Sequence, residues 1–232
     1  MNARPGVPDE VHSVMSKSRY LLLDFDGPLC DIFAGLPAPQ VASALKNILR
    51  SEGIELPGAI AVADDPLEVF RFSASAGARL NHAVLNALTD LEVEAVPAAR
   101  PTPGAAEVLR WASESGRPVA VISNNSVAAV TRYLQDHGLM PVVDQISARA
   151  AGDPGLMKPS PYLIRQALAL LDAEAAQSVV VGDSLTDIEA AKAAGTLSVG
   201  FANRPGKLKR LIDAGADGVI TAMLDLIPGL SG

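Results

Sequence analysis

Disulfide bonds are excluded within this chain, because Cys30 is the only cysteine among its 232 residues. A lone thiol is typical of proteins in reducing compartments, so the sequence predicts a cytosolic protein. Long apolar runs are also missing: no stretch reaches the roughly 18 residues that a membrane-spanning helix needs, and residues 1–18 lack the apolar core of a signal peptide. Export and membrane insertion are therefore not expected.

Positive charge is scarce as well, with 19 Lys and Arg against 26 Asp and Glu and a net charge of −7. Nucleic acid is not an expected partner, because phosphate backbones are bound by clustered Lys and Arg. The absence of a P-loop and of a Gly-x-Gly-x-x-Gly element argues against a nucleotide-driven kinase and a dinucleotide-dependent dehydrogenase. The three histidines are scattered along the chain, so no Ser-His-Asp arrangement is predicted.

From residue 101 onward, short β-type apolar runs alternate with segments of helical length. The runs lie at 119–122, 142–146, 179–181, 197–201 and 218–220, and the helical segments at 104–115, 126–137, 160–171, 185–194 and 205–214. This alternation predicts an α/β fold with a parallel sheet flanked by helices. The 49% content of hydrophobic residues is enough for a sizeable core.

The stretch 32–100 lacks comparable β-type runs and shows helical spacing at 39–52, 66–76 and 77–94. Prolines before and after it suggest two hinge-like connectors. The predicted organisation has three parts: an N-terminal extension at 1–18, an α/β core at 19–31 and 101–232, and an inserted helical cap domain at 32–100. A cap that closes over the neighbouring strand ends is expected from this arrangement.

A pair of carboxylates follows the first apolar run, in the order Leu21-Leu22-Leu23-Asp24-Phe25-Asp26-Gly27. Ligands of open α/β sheets bind beyond the carboxyl ends of the strands, which is where this pair lies. Asp24 and Asp26 are two residues apart, so in a regular strand both point to one side. Two carboxylates that close favour a divalent cation such as Mg²⁺, which prefers oxygen ligands.

Three further strand ends carry polar groups: Ser123-Asn124-Asn125, Lys158 in Lys158-Pro159-Ser160-Pro161, and Gly182-Asp183-Ser184-Leu185-Thr186-Asp187. Alone, the first is better explained by a helix N-cap and the second by a surface lysine. Together with the acidic pair they predict a metal-assisted phosphoryl-transfer site, which needs charge neutralisation, a nucleophile and a proton donor.

With these four motifs in this order, the chain resembles the haloacid dehalogenase (HAD) superfamily, and within it the phosphoglycolate phosphatase and β-phosphoglucomutase-like subgroup with a helical, C1-type cap. The resemblance spans nearly the whole chain. It implies a Rossmann-like parallel sheet flanked by helices, with an inserted all-helical cap domain. It also implies a Mg²⁺-dependent phosphatase that hydrolyses a small phosphorylated metabolite.

The resemblance further implies roles for the residues of these motifs. Asp24 is the nucleophile that becomes an aspartyl-phosphate, and Asp26 is the general acid and then the base. Mg²⁺ is held by the Asp24 side chain, the Asp26 backbone carbonyl and Asp183, with Asp187 helping directly or through water. The transferring phosphoryl group is bound by Ser123, Asn124 and Lys158, and Lys158 also counters the charge around Asp24.

Several points stay open at this stage. The same residues serve a phosphomutase, and a weakly active metabolite-binding or regulatory homologue is a further alternative. Pro28 stands where the family usually has Thr or Val, so the turn is expected to differ while activity survives. The sequence leaves oligomeric state and substrate undecided: Arg50, Arg71, Arg79 and His82 are cap candidates that are better explained as solvated helix-face residues, as is Lys46. Cys30 is expected to be a small buried filler.

Overall fold

The computed structural model describes residues 9–149 and 152–228. Its strands are β1 (Tyr20–Asp24), β2 (Cys30–Asp31), β3 (Arg100–Pro101), β4 (Val119–Ser126), β5 (Gln145–Arg149), β6 (Ser178–Gly182), β7 (Leu197–Phe201) and β8 (Gly218–Ile220). Its helices are α1 (Asp9–Lys17), α2 (Ala38–Ser51), α3 (Gly58–Ala61), α4 (Pro66–Ser73), α5 (Ala78–Ala95), α6 (Ala105–Glu114), α7 (Val127–Asp136), α8 (Tyr162–Leu171), α9 (Leu185–Ala194) and α10 (Lys207–Asp213).

Six of the strands form one parallel sheet in the order β5-β4-β1-β6-β7-β8. Strand β1 lies inside the sheet, with Leu22 beside Ala120 of β4 and Val180 of β6. All three residues are fully buried because helices cover both faces, which explains why these strands are continuous apolar runs. The predicted fold class, a parallel α/β sheet flanked by helices, is confirmed.

Helix α9 shows how sequence sets the ends of these helices. The Ser184 hydroxyl accepts from the Asp187 N–H while the Asp187 carboxylate accepts from the Ser184 N–H, a capping box that starts the helix. Gly195 ends it in a left-handed conformation with φ of 80°. This capping box therefore fixes Asp187 at the carboxyl edge of the sheet.

Helices α2 to α5, which lie between β2 and β3 in the sequence, form a separate layer. Its buried cluster includes Leu45, Phe70 and Leu88, one from each of the three longer helices. The chain enters and leaves this layer through the antiparallel β2–β3 pair, in which Cys30 lies opposite Pro101. We call residues 38–95 the helical segment; the domain boundaries at 32 and 100 stay a prediction.

Lys46 on α2 is buried, so its interpretation as a solvated residue is wrong. Its ammonium donates to the carbonyl oxygens of Ala61 and Ala63, at 3.3 and 2.9 Å. These carbonyls lie at the C-terminal end of α3, where helix carbonyl groups lack partners within the helix. The buried lysine therefore ties α2 to α3.

Strand β5 differs from its predicted bounds, and helix α1 adds structure to the predicted N-terminal extension. Strand β5 begins at Gln145 rather than at residue 142, because Val142 belongs to a short 3₁₀ turn. Within the predicted N-terminal extension, α1 buries Val11 and Met15 against the core of the sheet; residues 1–8 lie outside the described part. No helix in the described ranges is both long and apolar enough to cross a bilayer.

Candidate active site

Three carboxylates and one lysine meet at the carboxyl edge of the sheet. Asp24 ends β1, Asp183 follows β6 and Asp187 lies in the first turn of α9, and their nearest oxygens all lie within 4.8 Å of one another. Lys158 Nζ lies 2.6 Å from Asp24 Oδ1 and 2.6 Å from Asp187 Oδ1. The structure thus brings together residues from three of the four sequence motifs.

Two glycines make this close approach possible. Gly27 has a φ of 104°, and a Cβ there would overlap the Asp183 carboxyl group. A Cβ on Gly182 would likewise overlap the Asp187 side chain. Both positions therefore require glycine for backbone geometry, for space, or for both.

The charges in this cluster shift one another's ionisation. Burial raises the pKa of Asp24 well above its usual range, and the Asp187 carboxylate raises it further, although Lys158 opposes both. Burial lowers the pKa of Lys158, but Asp187 and Asp24 outweigh burial and the net shift is upward. Lys158 therefore stays cationic, while Asp24 needs nearby positive charge to stay ionised.

The Asp26 side chain is held apart from the three clustered carboxylates. Its Oδ1 accepts from the Ile32 N–H at 3.1 Å, and the residue forms a β-bridge with Cys30. Burial raises the pKa of Asp26 to about 7. A carboxyl group with that pKa can both give and take a proton near neutral pH.

The end of β4, residues 123–126, contributes Ser123, Asn124 and Asn125 to the wall of the site. Ser123 Oγ accepts from the Asn125 N–H at 2.9 Å and donates to Asn125 Oδ1 at 3.2 Å. The Asn124 side chain is paired with the Lys158 backbone, accepting from its N–H at 2.8 Å and donating to its carbonyl at 3.3 Å. Asn124 thereby positions Lys158, a contact that its predicted phosphate-binding role did not include.

A cavity of about 300 Å³ lies over these groups and includes Asp24, Asp26, Ser123 and Lys158 in its lining. From the helical segment, Arg71 also lines it and donates to the Lys158 carbonyl at 3.2 Å. The other three cap candidates, Arg50, Arg79 and His82, are not among the described lining residues. Arg79 instead forms an exposed ion pair with Glu52.

Sequence reasoning missed two ion pairs, one at the site and one behind it. Asp183 Oδ2 accepts from Asn203 Nδ2 at 2.9 Å and is ion-paired with Lys207. Glu92 and Arg149 form a buried ion pair behind the β4 end. Both pairs join residues far apart in the chain, so no local pattern identifies them.

The turn that follows the acidic pair closes without an N–H from residue 28. The Leu29 and Cys30 N–H groups both donate to the Phe25 carbonyl at 3.1 Å, and Gly27 N donates to the Cys30 carbonyl at 2.7 Å. Pro28 therefore leaves these hydrogen bonds intact. Cys30 is fully buried, and burial raises the pKa of its thiol, which fits its interpretation as a filler.

The donor set fits a hard divalent cation. Asp24, Asp183 and Asp187 offer carboxylate oxygens within reach of a single ion, and Mg²⁺ binds oxygen ligands. Both described hydrogen bonds to Asp24 go to Oδ1, from Lys158 and from the Phe25 N–H, which leaves Oδ2 for another ligand. A cation would also offset the excess of carboxylates over Lys158.

Comparison with known proteins identifies the family. The family model for haloacid dehalogenase-like hydrolases matches residues 19–195, which contain all four motifs. The chain belongs to the haloacid dehalogenase-like hydrolase family. The phosphoglycolate phosphatase of Neisseria meningitidis is 32% identical over 76% of this chain and 77% of its own length, and that of Pseudomonas fluorescens is 29% identical over 91% and 79%.

The fold of this hydrolase also matches solved structures. A haloacid dehalogenase-like hydrolase from Bacteroides fragilis superimposes with a TM-score of 0.70, at 20% identity, over 90% of this chain and all of that one, a coverage of 100%. This likeness establishes the fold. The family and its phosphatase relatives confirm the predicted enzyme class: the hydrolase is a phosphatase.

Proposed function

We propose that this phosphatase is Mg²⁺-dependent and hydrolyses a small phosphorylated metabolite through an aspartyl-phosphate on Asp24. The observation that carries the proposal is the meeting of Asp24, Lys158, Asp183 and Asp187 at one edge of the sheet. Asp26 lines the same cavity. These residues supply a nucleophile, a fixed cation, metal ligands and a proton donor.

In the first step, an Asp24 carboxylate oxygen attacks phosphorus and the bond from phosphorus to the ester oxygen breaks. Asp26 gives its proton to that leaving oxygen, for which its pKa of about 7 is suitable. In the second step, Asp26 takes a proton from water, the water oxygen attacks phosphorus, and the bond to Asp24 breaks. Inorganic phosphate and an alcohol are the products.

Mg²⁺ would be held by Asp24, Asp183 and Asp187 through their carboxylates and by the Asp26 backbone carbonyl, and when bound it neutralises charge on the phosphoryl oxygens. Lys158 adds a fixed cation on the β4 side and offsets the charge of Asp24. Ser123 supplies a hydroxyl, and Asn124 holds the Lys158 backbone in place.

Phosphoglycolate is the first substrate to test, because it is what the two relatives named above act on by name. Arg71 supports this choice, since its guanidinium lines the cavity and is a suitable partner for a carboxylate. The cavity volume of about 300 Å³ suits a small ester. We further propose that residues 32–100 act as the cap over this cavity, and that the protein works in the cytosol.

The deciding experiment measures phosphate release from a panel of phosphoesters that includes phosphoglycolate, with Mg²⁺ and with EDTA, for wild type and Asp24→Asn. We expect release that needs Mg²⁺ and is lost in the variant. Wild-type protein that releases no phosphate from any ester contradicts the proposal. Transfer of phosphate between positions of a sugar phosphate, without release, would instead identify a mutase.

A further inference from the structure

A buried ion pair lies where α5 of the helical segment meets the end of β5. Arg149 donates to both oxygens of Glu92, from Nη1 to Oε1 at 3.0 Å and from Nη2 to Oε2 at 2.8 Å. The two side chains are 2% and 0% exposed. Desolvating such a pair costs about as much as the pair gains, so its presence is weak evidence for a role in stability.

Both members of the pair also bind the β4 end. Glu92 Oε2 accepts from the Ser126 N–H at 2.8 Å, and Glu92 Oε1 accepts from Asn125 Nδ2 at 3.2 Å. Arg149 Nη1 donates to the Asn124 carbonyl at 2.6 Å. One ion pair thus holds three successive residues of the β4 end, two of which, Asn124 and Asn125, line the cavity.

The charge of Glu92 determines how the Asn125 amide is oriented. A carboxylate only accepts hydrogen bonds, so the Asn125 amide must turn its NH₂ group toward Glu92. Its carbonyl oxygen then faces the Ser123 hydroxyl, which donates to it at 3.2 Å. Glu92 therefore influences the orientation of the Ser123 hydroxyl through the side-chain amide of Asn125.

We propose that Glu92 and Arg149 are positioning residues that hold the β4 end in the geometry required for the phosphoryl group. The proposal rests on the proposed function, because it assigns phosphate binding to this wall. It means that the helical segment supplies part of the phosphate side of the site from behind, through Glu92. Phe70 of α4 adds to this contact, since the Arg149 guanidinium lies 5.4 Å from the centre of its ring.

The test is a titration of the Mg²⁺-loaded protein with inorganic phosphate, followed by calorimetry, for wild type and Glu92→Gln. Glutamine keeps the size of the side chain but removes the charge that orients Asn125. We expect phosphate binding to be at least about 10-fold weaker, because the charge-assisted hydrogen bonds from Asn125 and Ser126 to Glu92 are lost. The Mg²⁺ dependence of binding should be unchanged. Asp217→Asn is the control for removing a hydrogen-bonded carboxylate elsewhere: exposed Asp217 accepts from the Ser198 N–H and hydroxyl at 2.8 and 2.9 Å and does not line the cavity. Its phosphate binding should stay at the wild-type level.

Arg149→Lys provides a second variant in case Glu92→Gln does not fold. Lysine keeps a positive charge opposite Glu92 but cannot bind both its oxygens and the Asn124 carbonyl at once. A smaller loss of phosphate affinity in the same direction is expected. Folded variants that are less stable to heat yet bind phosphate like wild type would overturn the inference, whereas wild-type protein that binds no phosphate would instead overturn the proposed function.

Discussion

The parallel sheet and the helical segment reach the same cavity in different ways. The sheet presents Asp24, Ser123 and Asp183 at the carboxyl ends of neighbouring strands, so topology alone brings them together. The helical segment presents Arg71 and, behind the wall, Glu92 from within helices that pack on their own apolar cluster. The positions of the reacting groups therefore follow from strand order, whereas each contact from the helical segment depends on the packing of one helix.

The largest effect is expected at the sheet edge. Asp24→Asn should lower kcat for every phosphoester by at least about 10⁴-fold, because the attacking carboxylate is gone. Steady-state kinetics with several esters checks this expectation. An Asp24→Asn protein that keeps activity on one ester would show that the sheet edge does not act on all substrates alike.

Asp26→Asn should be the next most severe change, with a loss of about 10² to 10⁴-fold for alkyl phosphates, since the proton donor is removed. The rate of the first step with p-nitrophenyl phosphate should fall much less, because the nitrophenolate leaving group needs no proton. Single-turnover measurement of the first-step rate constant for the two esters checks the assignment. Equal losses in that first step would argue against Asp26 as the acid.

Where the two regions meet, the expected effect is on stability. Arg149→Met leaves the Glu92 carboxylate buried without its partner and should lower the free energy of unfolding by about 3–5 kcal/mol. Arg79→Met is the control, because the Arg79–Glu52 pair within the helical segment is exposed and exposed ion pairs contribute little to stability. Urea denaturation of both variants measures the difference. Similar losses would mean that burial does not distinguish the pairs.

Within the helical segment alone, Arg71→Met should change selectivity rather than chemistry. The kcat/KM for phosphoglycolate should fall by about 10- to 100-fold, the value of a hydrogen bond to a charged group, while ethyl phosphate, which lacks the carboxylate, should be unaffected. Parallel measurement of both esters decides the point. If both fall together, Arg71 supports the site as a whole.

The smallest effect is expected in the turn between the two regions. Pro28→Thr should keep turnover, because the hydrogen bonds of this turn involve residues 25, 27, 29 and 30. Its stability should fall by about 0.4–1 kcal/mol as the unfolded chain gains freedom. Thermal unfolding and kinetics of the variant measure both quantities. A collapse of activity would identify Pro28 as part of a specialised turn.

Most of the sheet could be predicted because parallel strands buried on both faces leave continuous apolar runs. Strand β5 shows where this signal fails. Its Ser147 and Arg149 are buried but hydrogen-bonded, the serine hydroxyl to the Leu163 carbonyl at 2.7 Å and the arginine to Glu92. Polar residues of this kind interrupt the apolar run, so the run at 142–146 predicts the strand too early in the chain.

Three of the four motifs lie at or directly after strand ends, as the sequence predicts, while Lys158 lies in the loop between β5 and α8. Charged helix residues could not be interpreted in the same way. Helical spacing predicts that Lys46 and Arg71 are solvated residues on a helix face, and it assigns no role to Glu92. Their partners are carbonyls or side chains of other elements, up to 87 residues away in the chain for Arg71. Only packing reveals such pairs, because no local spacing encodes them.

The β2–β3 pair has a consequence for how the chain can vary in length. Because Cys30 and Pro101 lie opposite each other in the β2–β3 pair, this pair closes the intervening chain, residues 31–100, into a loop. The entropy of closing such a loop grows only with the logarithm of its length, so even a doubling costs about 0.6 kcal/mol. Helices can thus be added or removed over the cavity while the strands beneath keep their register.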